Sequence, residues 1–173
     1  MPRPKKKIKM TWAELRQQRD ALARFELYLP TLQLKQQQLQ SAILEVRHEH
    51  GQLKQAADVC EKKISTYRAV FNDTAGVDIQ FLSEPGNIKT LTINIAGVKV
   101  PVFESSVFPQ ALYSLFGTPP WVDQALSDQR ERKMNLVKLE IVELKLALLQ
   151  AELKKVMQRV NPVSYTHLRA HET

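Results

Sequence analysis

Between Leu15 and Phe71 the apolar residues recur at alternating spacings of three and four. One series, stepping by seven, reads Leu15, Leu22, Leu29, Gln36, Ile43, His50, Ala57, Ile64 and Phe71. The interleaved series reads Gln18, Phe25, Leu32, Leu39, Val46, Leu53, Cys60 and Tyr67. A 3.5-residue period held over about eight heptads keeps one stripe turned toward a partner helix and winds the pair into a left-handed supercoil. The stripe is too narrow for a helix wrapped in a globular core. At ~1.5 Å per residue it would reach about 85 Å, so an elongated particle is expected. Pro30 falls beside the seam. It removes one helical hydrogen bond and crowds the carbonyl four residues back. The heptad phase is the same on both sides, so a kink near Glu26–Pro30 is expected with the helix continuing. Gly51, next to His50 and close to His48, is an expected soft point, because a mid-helix glycine costs roughly 1 kcal/mol relative to alanine.

The pattern changes after Phe71. Asn72, Asp73, Thr74, Ala75 and Gly76 carry helix-ending turn chemistry. A hairpin is then expected over about 88–104. Leu91, Ile93 and Ile95 alternate before Ala96-Gly97, and Val98, Val100 and Val102 alternate after it. A two-residue turn sets Ile95 opposite Val98, Ile93 opposite Val100 and Leu91 opposite Val102, all six on one face. A lone hairpin is marginal in water, so that face must pack on the helices or on another protein of an assembly. A short helix is expected over 108–116. Thr118 suits a helix N-cap and Pro119 a first helical position. In the second long helix Leu139, Val142, Leu146, Leu149, Leu153, Val156 and Val160 form a seam. Ile141, Leu144, Leu148 and Ala151 form a second seam beside it, which predicts contact with more than one element.

The fold class expected is therefore mainly α: a long antiparallel two-helix coiled coil with a small hairpin and short-helix head between the helices. The segments are a basic arm (1–9), a first helix (10–73), a head (74–117), a second helix (118–161) and a tail (162–173). The tail has no heptad and reads as non-native, with the helix ending before Pro162. A second helix of about 40 residues covers only about 60 Å. The stripe of Leu15, Leu22, Phe25 and Leu29 is then left bare, and bare apolar stripes associate or fray.

Charge and composition exclude several functions. The net charge is +7, but Arg3, Lys5, Lys6, Lys7 and Lys9 supply five of these with no acid among residues 1–9. A basic arm suits nucleic acid, an anionic membrane surface or an acidic sleeve of protein, and composition alone does not choose. No apolar run is long enough to span a bilayer and no signal-peptide segment follows the arm, which predicts a cytosolic protein. One cysteine excludes an internal disulfide and a multi-cysteine metal site. No glycine-rich phosphate loop and no nucleophile–base set is visible, so no catalytic residue, cofactor or metal is assigned. His48-Glu49-His50 does not fit a zinc pair, since residues two apart on a helix point to different faces. His50 reads instead as a polar break that fixes register, and Cys60 as a small buried apolar residue. Glutamines between Gln33 and Gln40 sit among phased leucines and read as a polar helix face.

Three segments carry a resemblance: Leu27-Tyr28-Leu29-Pro30-Thr31-Leu32-Gln33-Leu34-Lys35, Asn94-Ile95-Ala96-Gly97-Val98-Lys99-Val100-Pro101-Val102-Phe103, and Thr118-Pro119-Pro120-Trp121. In order and spacing the chain resembles the bacterial branch of the V/A-type ATPase D-subunit family over residues 8–161. The resemblance implies a non-catalytic central-stalk rotor, with paired terminal helices inside a hexamer of A and B subunits. It also implies a small stalk partner, the F subunit, and a coupling protein of the C/d type that joins the shaft to the membrane ring. It favours the acidic-sleeve reading of the basic arm, without membrane insertion and without nucleic acid. The alternative, of another class, is a coiled-coil adaptor that binds nucleic acid through that arm. Such an adaptor has no need of an apolar hairpin, and its binding would fall steeply with salt.

Overall fold

The computed structural model describes residues 11–67, 76–114 and 116–170, with 162–170 described by their backbone alone. The basic arm and the expected turn at 72–75 lie outside the described residues. In order, the elements are α1 (Trp12–Tyr67), α2 (Ile79–Ser83), β1 (Asn87–Ile95), β2 (Val98–Val107) and α3 (Trp121–Ala170). The two long helices pack against each other, and the two strands form an antiparallel hairpin between them in sequence.

Thr11 precedes helix α1, and its carbonyl accepts from the Leu15 amide at 3.0 Å. Its hydroxyl lies 3.4 Å from the Glu14 amide, a long version of an N-cap. Glu14 itself brings an acid into the first turn, where the helix dipole favours it. The helix passes through Pro30 without interruption. The Thr31 hydroxyl donates to the Tyr28 carbonyl at 2.7 Å, taking up one acceptor beside the proline. At Gly51 an added Cβ would meet nothing within 4 Å. Gly51→Ala is therefore expected to stabilise the chain by up to about 1 kcal/mol, since only the entropy of the unfolded backbone changes. Urea unfolding of the two proteins side by side checks it, and a loss of stability would show that the position needs glycine.

The chain divides into two compact units. The larger, Leu39–Glu152, holds the head and the adjoining parts of both helices. Its helix pairing is antiparallel, as cross-helix contacts show. Glu49 meets Lys145, His50 meets Glu143, Cys60 meets Asn135, Glu61 meets Arg132 and Tyr67 meets Asp128. In each pair the two residue numbers sum to nearly the same value, so one register holds along the whole stretch. The smaller unit takes in residues up to Gln38 and from Leu153 onward. Here Leu29 and Leu32 are half-buried, and Val156 and Val160 are buried.

The hairpin has the expected register: Ile95 opposite Val98, Ile93 opposite Val100, Leu91 opposite Val102. Ala96 and Gly97 both take positive φ, at 49° and 82°, which is the turn geometry whose twist matches the strands. A bulge between Lys89 and Thr90 shifts the pairing farther from the turn.

Three sequence expectations are corrected. Residues 108–114 form no helix, and the short helix of the head is α2 instead. The carbonyl of Pro109 is taken by the Arg130 side chain at 2.6 Å, so a side chain replaces the helical partner there. Asp78 caps α2 by accepting from the Phe81 amide at 3.0 Å. Thr118 is no N-cap, because its hydroxyl donates backwards to the Ser114 carbonyl at 3.0 Å, and α3 begins at Trp121. Finally, α3 does not end before Pro162 but runs on to Ala170. A proline costs one hydrogen bond in a helix that is already propagating, and a break there would cost several.

Candidate functional site

The seam is the first feature to locate. Leu39, Ile43, Val46, Cys60 and Ile64 of α1 are buried, as are Val142, Leu149 and Val156 of α3. Leu29, Leu32, Leu53, Tyr67, Leu139, Leu146 and Leu153 are half-buried. Leu15, Leu22 and Phe25 are exposed, at 48%, 47% and 53%. They form an uncovered apolar stripe on the first turns of α1, with Trp12 at 83% beside them. The second seam expected on α3 is largely left open among the described residues. Leu144 and Leu148 are exposed at 54% and 38%, Ala151 is exposed, and only Ile141 is half-buried. The single-partner geometry of a two-helix coil has no second element to lay on that face.

Polar groups punctuate the seam. His50 Nε2 lies 3.1 Å from Glu143 Oε1, and Lys145 Nζ lies 3.0 Å from Glu49 Oε2. Asn135 is buried, and its amide donates to Cys60 Sγ at 3.7 Å. Burial is the main cause that pushes the Cys60 thiol up from its ordinary value, with the Glu131 charge second. A thiol held neutral in this way is a packing group and a weak acceptor, and its reactivity is low.

Near the head, Asp128 is only 8% exposed, yet both its carboxylate oxygens are occupied. Tyr67 donates to one at 2.7 Å and Gln124 to the other at 3.0 Å. Burial first, then the bond to Asp128, raises the Tyr67 hydroxyl well above the usual phenol range. The phenol therefore stays a donor at any physiological pH. Below this layer Ile79, Val122, Ala125 and Leu126 form a small core, with Tyr113 and Trp121 packed on it. Arg130 ties the head together. Its Nε donates to the Leu82 carbonyl at 3.0 Å, its Nη2 to that of Pro109, and its guanidinium lies 5.4 Å from the Phe108 ring centroid. Lys133 pairs with Glu84 at the end of α2.

The hairpin is half covered. Val100 is fully buried, and Ile95, Val98 and Val102 are half-buried. Leu91 and Ile93 remain exposed at 53% and 41%, so the predicted apolar face is closed on β2 and at Ile95 and open at these two residues of β1. Lys138 lies 5.4 Å over the Phe103 ring, and Ser106 donates to Met134 Sδ at 3.3 Å, which fixes β2 on α3. A cleft of about 470 Å³ runs between Pro101, Val102 and Phe103 on one side and Glu49, Leu53 and Ile141 on the other.

Sequence reasoning missed Asn135, Asp128, Arg130 and the cluster Val122, Ala125 and Leu126. Their three-and-four spacing was visible before Leu139, but polar residues at several of those positions hid it. Among the described residues no group of three or more His, Cys, Asp or Glu is placed to hold a metal, and no helix is long and apolar enough to cross a membrane.

Two long antiparallel helices joined through a hairpin-bearing head coincide with a family match to the ATP synthase D subunit over residues 14–166. The chain belongs to the ATP synthase D-subunit family. It is 32% identical over 158 residues to the V-type ATP synthase D subunit of Borreliella burgdorferi, covering 90% of this chain and 76% of the relative. It is 34% identical over 155 residues to the protein of the same name from Chlamydia felis, covering 89% of this chain and 74% of that one. For this member of the D-subunit family the nucleic-acid alternative has no support.

Proposed function

We propose that the chain is the central-stalk rotor of a V-type rotary ATPase or ATP synthase, coupling ATP hydrolysis or synthesis in a hexamer of A and B subunits to proton or sodium-ion transport across the membrane. It acts without an active site of its own, on the cytoplasmic face, as a peripheral member of the complex. The observation that carries this reading is the continuous antiparallel register of α1 and α3, from the Glu49–Lys145 pair to the Tyr67–Asp128 pair, in a chain of this family. A shaft transmits torque only if its two helices cannot slide. Apolar contacts alone slide at modest cost, whereas each polar pair holds one register. A rotor of this kind biases which of three equivalent catalytic units is open or closed by presenting each with a different side, a shift of populations.

We assign the exposed stripe of Leu15, Leu22 and Phe25 to the A/B hexamer. The open hairpin face at Leu91 and Ile93 goes to the small stalk partner, the F subunit, and the exposed head residues Phe81, Leu112 and Phe116 to the C/d-type coupling protein. Co-purification with these neighbours tests the assignment. The double change Leu22→Glu, Phe25→Glu is expected to reduce hexamer capture at least tenfold and leave capture of the small stalk partner intact. Ile93→Asp is expected to do the reverse, without loss of helicity. If both variants assemble like the parent chain, the assignment is wrong. If the parent chain captures none of these proteins, the rotor reading itself fails.

A further inference from the structure

The hairpin has two outer edges, and they are not alike. The Ala96-Gly97 turn closes on the Ile95–Val98 pair, which is hydrogen-bonded in a two-residue hairpin. Pairs alternate from there, so Ile93–Val100 and Leu91–Val102 bond across the ladder while Asn94–Lys99 and Thr92–Pro101 do not. Pro101, which has no N–H, accordingly sits where none is needed by β1. Its ring blunts the outer edge of β2, which also lies half-buried or buried from Val100 to Phe103. On β1 the outward N–H and C=O groups belong to Thr90, Thr92 and Asn94. All three residues are exposed, and β1 contains no proline. Proteins usually shield such an edge with proline, charge or a covering element, and this edge has a single lysine, Lys89.

We propose that the outer edge of β1 pairs antiparallel with the same edge of a second copy of this chain, about a two-fold axis at Thr92. The strand is self-complementary in that register. Thr92 lies opposite Thr92, and Thr90 opposite Asn94, so the three outward residues hydrogen-bond among themselves and involve neither the bulge nor the turn. Leu91 comes opposite Ile93 at the closer, non-bonded spacing, which covers two exposed apolar side chains of β1. The only charge on the strand, Lys89, falls opposite Ile95, so the two lysines of the pair never face each other. The result is a four-stranded sheet with isologous contact and closed symmetry. A strand pair is a small interface, so the dimer is reversible and forms as concentration rises. It goes beyond the rotor reading and does not depend on it, since it concerns the free chain.

Sedimentation of the full chain over a concentration series tests it, in the Leu22→Glu, Phe25→Glu background so that the N-terminal stripe does not contribute. The mass is expected to rise from 19.9 kDa toward twice that value. Thr92→Asp and Thr92→Lys each set two like charges directly opposite, and each alone is expected to stay monomeric. Mixed in equal amounts they are expected to recover the dimer, which also shows that both variants are folded. Thr92→Pro, whose lost N–H is not part of the β1–β2 ladder, is expected to be monomeric with the hairpin intact. A background chain that stays monomeric at every concentration overturns the proposal. So does association that persists in both charge variants, or a mixture that fails to associate.

Discussion

Leu149→Ala is expected to lower the free energy of unfolding by about 2–5 kcal/mol, the range for a large aliphatic side chain removed from a site that cannot collapse around the gap. Leu149 is 0% exposed and lies in the α3 series Asn135, Val142, Leu149, Val156, every seventh residue of which is buried. The Glu49–Lys145 pair holds the two helices in register about one turn away, which leaves the cavity little room to close. The loss should appear in urea unfolding followed by helicity. Gln150→Ala, one residue along on the exposed side, should change stability by no more than about 0.5 kcal/mol. The ratio of the two effects is the informative quantity. Equal effects would mean that the helix is held by propensity and not by a seam, which would remove the basis for a stiff shaft.

Arg130→Met should cost about 2–5 kcal/mol in the head and little in the long helices. Two carbonyls, those of Leu82 and Pro109, would lose a charged donor, each such bond contributing roughly 1.5–3 kcal/mol. The methionine keeps most of the stem that packs on Phe108, so the loss reports the guanidinium and not the bulk. Arg130→Lys should recover less than half, because an ammonium cannot reach two divergent carbonyls with a planar fork. Hydrogen exchange separates local from global effects. Faster exchange confined to residues 76–114 is the expected outcome. Unchanged protection of α2 would show that the apolar cluster of Ile79, Val122, Ala125 and Leu126 holds the head without the arginine.

The heptad of α1 was legible because a coiled coil repeats one contact along its length, so each residue such as Leu39 or Ile43 testifies to the same geometry. The hairpin register was legible for a related reason. A two-residue turn at Ala96-Gly97 leaves one way to pair Ile95, Ile93 and Leu91. Both are local rules, in which sequence separation and spatial position are locked together. The family resemblance rested on the same local segments.

The seam of α3 between Trp121 and Leu139 was not legible, because Asp128, Arg130, Arg132 and Asn135 read as surface by their chemistry. Their partners, Tyr67, the Leu82 and Pro109 carbonyls, Glu61 and Cys60, lie many residues away, and only the folded chain brings them close. The short helix moved from 108–116 to Ile79–Ser83 for the same reason, since Arg130 claims the Pro109 carbonyl from across the head. Which side of the hairpin closes was likewise decided by packing. Val100 and Ile93 are equivalent in alternation and register, yet one is fully buried and the other open. The sequence alone determined the repeating apolar contacts and the turn-locked strand pairing, because periodicity encodes them. The tertiary structure decided where each buried polar group finds its partner and which apolar face is left exposed, because both depend on residues that no local spacing connects.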